Sequence, residues 1–217
     1  MSAFVNGVLS YLTFLFCVTV HEFSHAFAAT RFGDETAKEA GRLTLNPLPH
    51  MDLFGTVILP ILGILSSGAV LGYASTPIDP RAMKPRRVGP AISVIAGPVS
   101  NAALSVVAAL GARLARMALE SVGSESAAGF LVEFLRGARI AGIRVALLSG
   151  VLAVFNLLPA GPLDGALFFR YSFPDSQAAA ALNTGLAWMV VLVVFLFVLA
   201  GPTYRAVEAM VASLGGL

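Results

Sequence analysis

Apolar residues run through this chain in long blocks rather than at a helical or strand period. Four blocks reach the roughly 20 residues that carry a helix across a bilayer: Ala3 to Thr30, Val88 to Leu110, Ile140 to Leu158 and Ala178 to Ala200. A fifth, Leu53 to Tyr73, is interrupted by Pro60, Gly63 and the Ser66-Ser67-Gly68 break. Backbone groups freed by such breaks are tolerated at membrane depth only where they are buried in protein or line a wet cavity. This block therefore predicts a re-entrant or hairpin segment after the first helix. Between Gly111 and Gly142 arginines and glutamates mix with Leu, Phe and Val, which predicts a connector with an interfacial amphipathic helix. The expected fold is an all-α polytopic membrane protein, a bundle of about 4–6 transmembrane helices.

Composition points the same way. Hydrophobic residues make up 57% and charged residues 12%, against about 45–50% and about 25% in soluble domains. So little charge cannot solvate an ordinary globular surface, which with a mean hydropathy of +0.84 all but rules out a water-soluble enzyme. The first block has no basic start and no small-residue cleavage site before a polar mature sequence. It reads as a retained helix, and residues 1–217 as a single integral-membrane domain. The net charge of +2 comes from Lys and Arg in loops; without a dense basic stripe, nucleic acid is not a partner. One cysteine, Cys17, excludes an internal disulfide and reads as an inert thiol against lipid or a neighbouring helix.

Titratable groups inside apolar spans are costly and mark function by default. His21-Glu22-Phe23-Ser24-His25 lies late in the first span. Residues four apart share one helix face, so both imidazoles can reach one metal, with Glu22 beside them to take a proton from water. The plainer reading is two surface histidines and a solvated glutamate, and inside lipid three unpaired polar groups make that expensive. A catalytic zinc takes three protein ligands and leaves a fourth position open. Asp164 follows a helix broken at Pro159, Gly161 and Pro162 and is the candidate third ligand; otherwise it is an aspartate facing water past a helix end. Asn101, in Gly97-Pro98-Val99-Ser100-Asn101, can hydrogen-bond a ligand or a substrate backbone, or merely bond across helices. Asn156 can donate to a developing oxyanion or cap the broken helix.

His21-Glu22-Phe23-Ser24-His25, the segment Gly41 to Thr56, Ala96-Gly97-Pro98-Val99-Ser100-Asn101 and the segment Asn156 to Gly165 together resemble the site-2 protease family of intramembrane zinc metalloproteases. The match runs from about His21 to Gly165 and is similar to the short members, which lack a regulatory domain. The resemblance implies one zinc per chain held by His21, His25 and Asp164, with Glu22 as general base and Asn156 positioning the scissile peptide. The catalytic core is expected over about residues 3–170, and the last apolar block as a C-terminal helix of about 178–200. Ser75 stands where short members often have lysine, and Ala160-Gly161 replaces a more proline-rich stretch.

Topology follows from this ligand set. His25 and Asp164 can meet only if the Leu53 to Tyr73 block does not cross the membrane. The metal side then carries Arg31, Lys38, Arg42, Arg81, Lys84, Arg86, Arg87 and Arg170, against Arg113, Arg116, Arg136, Arg139, Arg144 and Arg205 opposite. That bias, together with what the resemblance implies, orients the expected site towards the cytoplasm, in the cell membrane. The expected function is endoproteolysis of transmembrane protein substrates by zinc-activated water. A metal transporter with ligands in broken helices and a catalytically silent membrane scaffold are the alternatives; a single further histidine, His50, weighs against the first, and intact His21, Glu22, His25 and Asp164 against the second.

Overall fold

The computed structural model describes residues 2–68, 70, 72–122, 129–182 and 184–216. Among them there is no strand, and 77% are helical. Helix α1 spans Ala3–Arg31. Ser2 caps it, its hydroxyl accepting from the Val5 amide at 3.3 Å, which satisfies one of the amides left free in a first turn. The helix stops at Phe32-Gly33, where Gly33 turns to a φ of 99°; without a Cβ that conformation carries little strain. A short helix α2 (Thr36–Glu39) follows.

The next segment turns back on itself. A π-helical turn at Leu53–Ile58 leads into α3 (Leu59–Ser67). With 9 residues at about 1.5 Å each, α3 is too short to span the hydrocarbon. Ile64 lies against Gly7 near the start of α1. The chain then returns: the Tyr73 amide donates to the Gly55 carbonyl at 3.0 Å, and the Asp79 amide to Asp34 Oδ2 at 2.8 Å. The Lys84 amide reaches the Phe32 carbonyl at 2.9 Å. Entry and exit lie on the same side of the bundle, which is the expected re-entrant hairpin.

Helices α4 (Val88–Val122) and α5 (Gly129–Asn156) then cross in opposite directions. They approach through small residues, as helices in lipid do: Ser105 donates to the Ala146 carbonyl at 2.6 Å, and Gly142 sits against Ala108 and Ala112. Both run further than the sequence pattern implied. The charged stretch from Gly111 to Gly142 is mostly the ends of these two helices rather than an interfacial helix, with residues 123–128 outside the described set. The physical reason is local pairing at helical spacing, Arg116 with Glu120 and Arg136 with Glu133, both at 2.8 Å, which supports exposed helix.

After α5 come α6 (Asp164–Ser172) and α7 (Gln177–Leu182). Helix α8 (Gly185–Val194), a π-helical turn (Phe195–Leu199) and α9 (Ala200–Gly215) continue one another. This final helical run therefore begins later and ends well beyond the expected 178–200 helix. Pro202 is carried just past the π turn, where the hydrogen-bond register has already shifted. Val207 and Val211 of α9 pack on Ala109 and Ala146. Phe4, Leu65, Leu114 and Phe130 point outward, the apolar exterior expected of a protein in lipid. Helices α1, α4 and α5 are each long and apolar enough to cross a membrane.

Candidate metal centre

Three segments converge where α1 and α4 face the start of α6. His21 and His25 stand one turn apart on the buried face of α1, 6% and 5% exposed. Asp164 opens α6, after a tight reversal in which Gly161 adopts a φ of 59°. Gly165 makes that reversal fit, because a Cβ there would meet the Leu157 carbonyl oxygen at 2.2 Å. The outcome is that Asp164 Oδ2 lies 3.0 Å from His21 Nε2 and 3.3 Å from His25 Nε2. The two Nε2 atoms are themselves 3.0 Å apart.

Glycine also shapes the α4 wall. A Cβ on Gly97 would lie 2.3 Å from His25 Nε2 and 2.7 Å from His21 Cε1; only a bare backbone lets both rings sit there. One turn away, the Ser93 carbonyl accepts from His25 Nδ1 at 2.8 Å, which leaves the lone pair on Nε2. Asn101 is fully buried, its amide nitrogen 3.1 Å from His21 Nδ1, while its Oδ1 has no hydrogen-bond partner. Turned the other way, the Asn101 amide would accept the Nδ1 proton and free His21 Nε2 in the same manner.

Two imidazole nitrogens and a carboxylate oxygen pointing at one another without a cation would repel. Asp164 Oδ2 is buried and makes no hydrogen bond. Ligands about 2.0–2.1 Å from a tetrahedral zinc stand about 3.3 Å from each other, close to the three separations observed. The donor set and its orphaned oxygen fit a metal ion, and His21, His25 and Asp164 are the residues able to hold one.

Glu22 is buried at 4% exposure. Its carboxylate accepts the Thr76 hydroxyl at 2.6 Å, and its own carbonyl lies 3.2 Å from the same hydroxyl. Thr76 sits on the returning arm of the hairpin, where the Ser75 carbonyl accepts from Arg42. Neither Thr76 nor Ser93 stood out in the sequence. Ser93 acts through a main-chain carbonyl that every residue possesses, so no residue type could have flagged it. Asn156 donates to the Leu152 carbonyl of its own helix at 3.0 Å. His50 is buried apart from the cluster, bonded to the Thr44 carbonyl at 2.8 Å.

An all-helical membrane protein with a buried cluster of two histidines and one carboxylate, suited to zinc, is the class that this fold and geometry define. No family model matches the chain, and no solved structure shows significant similarity to it. Among curated proteins it is 35% identical to "Putative zinc metalloprotease YwhC" of Bacillus subtilis, over 85% of this chain and 78% of that protein. It is 31% identical to "Putative zinc metalloprotease Rip2" of Mycobacterium tuberculosis, over 84% of this chain and 64% of that protein. The Rip2 protein of Mycolicibacterium smegmatis is 30% identical over the same shares. The chain belongs to the site-2 protease family of zinc metalloproteases.

Proposed function

We propose that the chain is an intramembrane endopeptidase that hydrolyses peptide bonds of transmembrane substrates, with one zinc held by His21, His25 and Asp164. The observation that carries this reading is the meeting of His21 Nε2, His25 Nε2 and Asp164 Oδ2 at separations of 3.0–3.3 Å, from segments far apart in the chain. Bound there, zinc supplies a Lewis acid that makes water a nucleophile near neutral pH and polarises the scissile carbonyl.

The remaining steps belong to the protein. Glu22 accepts a proton from the attacking water as oxygen adds to the carbonyl carbon, and returns it to the leaving amine as the carbon–nitrogen bond breaks. Ser93 and Asn101 hold the two imidazoles in orientation. Asn156, at the end of α5, serves the scissile peptide after a side-chain rotation away from the Leu152 carbonyl. A helical substrate hides its carbonyls, so it must unwind before cleavage. Residues 72–79 run without helix or turn beside Glu22, and offer main-chain edges to such an unwound strand. The excess of Lys and Arg on the metal side favours a site that faces the cytoplasm from the cell membrane.

The test is cleavage of a single-span substrate by purified, zinc-loaded protein beside Glu22→Gln. Cleavage by the wild type and none by Glu22→Gln, with zinc retained in both, is expected. Equal cleavage by Glu22→Gln would overturn the assignment of the base, and no cleavage by either would overturn the endopeptidase reading.

A further inference from the structure

At the end of the bundle away from the histidines, α1, α5, α9 and the hairpin tip surround a cavity of about 370 Å³. Its polar lining is Ser10, Thr13, Arg144 and Tyr204. Arg144 donates from Nη2 to Asn6 Oδ1 at 2.8 Å and from Nη1 to Ser10 Oγ at 3.4 Å. Both partners are neutral, and among the described residues no carboxylate pairs with Arg144. A guanidinium has five N–H donors, so most of its capacity is left over.

Depth gives this charge its meaning. Gly142 packs on Ala108 and Ala112, and Ser105 bonds the Ala146 carbonyl, which sets Arg144 beside the last turn of the apolar stretch of α4, just short of Arg113. In a membrane-spanning helix, apolar sequence gives way to charge close to the boundary between hydrocarbon and head groups. From there Leu147, Leu148 and Val151 continue along α5 towards the bilayer centre, all lining the same cavity. The cavity is therefore cationic at its outer end and apolar further along α5. An arginine at membrane depth needs a counter-charge or a route to water, and Asn6 and Ser10 hold this one against the cavity wall.

We propose that this cavity binds an anionic phospholipid, its phosphate on Arg144 and the Tyr204 hydroxyl, and its first acyl segment against Leu147, Leu148 and Val151. A planar guanidinium matches a phosphate with two parallel hydrogen bonds, and tyrosine is at home at this depth. The site lies far from the histidine cluster and does not depend on the proteolytic reading.

Native mass spectrometry of the detergent-purified protein tests it, with phosphatidylglycerol, phosphatidylcholine and inorganic phosphate as probes. Phosphatidylglycerol should bind about tenfold more tightly than phosphatidylcholine, whose choline cation offsets the phosphate charge beside Arg144, and inorganic phosphate should not displace it. Arg144→Gln should abolish the preference. Val151→Trp, which fills the deep end and leaves Arg144 in place, should weaken both lipids. Equal affinity of the wild type for the two lipids would overturn the proposal, as would a preference that survives Arg144→Gln. Displacement of phosphatidylglycerol by inorganic phosphate would assign the site to a free anion instead and overturn the lipid. Should Arg144→Gln fail to fold, unchanged lipid binding by Val151→Trp would suffice to reject it.

Discussion

The Thr76 hydroxyl donates to the Glu22 carboxylate at 2.6 Å, joining the returning arm of the hairpin to the buried face of α1. A hydrogen bond to a charged group is worth about 1.5–3 kcal/mol, and here it fixes which way the carboxylate of the proposed base points. Thr76→Val removes the donor at almost constant shape. Its kcat should fall about tenfold or more with KM little changed, and Thr76→Ser should restore most of it. A change confined to KM, or no rescue by serine, would assign Thr76 to the packing of the hairpin alone.

Zinc content tests the convergence of the two motifs. His25→Ala and Asp164→Ala should each take the purified protein from about one zinc per chain to a small fraction of that, since a catalytic zinc has only three protein ligands to lose. Metal analysis of the two variants beside the wild type is sufficient. Full zinc retention by Asp164→Ala would remove it from the ligand set and reopen the transporter and scaffold readings.

Gly97 separates crowding from helix propensity. Alanine usually stabilises a helix interior relative to glycine by about 0.5–1 kcal/mol, but at Gly97 the new methyl would stand 2.3 Å from His25 Nε2. Gly97→Ala should lose zinc while keeping its helical circular dichroism. Gly111→Ala, on the same helix with open space around it, should keep both. If Gly97→Ala binds zinc normally, the rings do not occupy the positions described.

Asn101 makes a finer test. Outer hydrogen-bond partners of metal-bound histidines typically contribute about 10–100-fold in metal affinity. Asn101→Leu should weaken zinc by about that factor, whereas Asn101→Asp, which can only accept from Nδ1, should hold it more tightly than leucine does. Equal zinc affinity in the leucine and aspartate variants would mean that Asn101 does not orient His21.

Much of this arrangement was legible in the sequence because its chemistry is local or costly. His21 and His25 share a face through helical periodicity alone, and the break at Pro159 and Gly161 marks Asp164 as a polar group at a helix end inside apolar sequence. Thr76 was not legible, since nothing in a Ser-Thr-Pro segment tells that it returns to α1. The charged stretch around Arg116 and Glu120 misled for the opposite reason: charge in an apolar chain reads as interface, whereas pairs spaced by one turn equally extend a helix into water. The last helix runs beyond residue 200 because apolar length marks only the part suited to lipid, while the more polar α9 continues past the π turn.

Parity makes the last prediction. Asn46 precedes the hairpin and Arg81 follows it, and the hairpin returns to the side it left, as the Asp79 to Asp34 and Lys84 to Phe32 hydrogen bonds at 2.8 and 2.9 Å require. In a Cys17→Ala background, Asn46→Cys and Arg81→Cys should react with a membrane-impermeant thiol reagent from one face of sealed vesicles. Arg136→Cys, at the far end of the α4–α5 pair, should react from the other face. Modification of Asn46→Cys and Arg81→Cys from opposite faces would make the hairpin a true crossing. Every later helix would then be inverted, and Asp164 would lie across the membrane from His25.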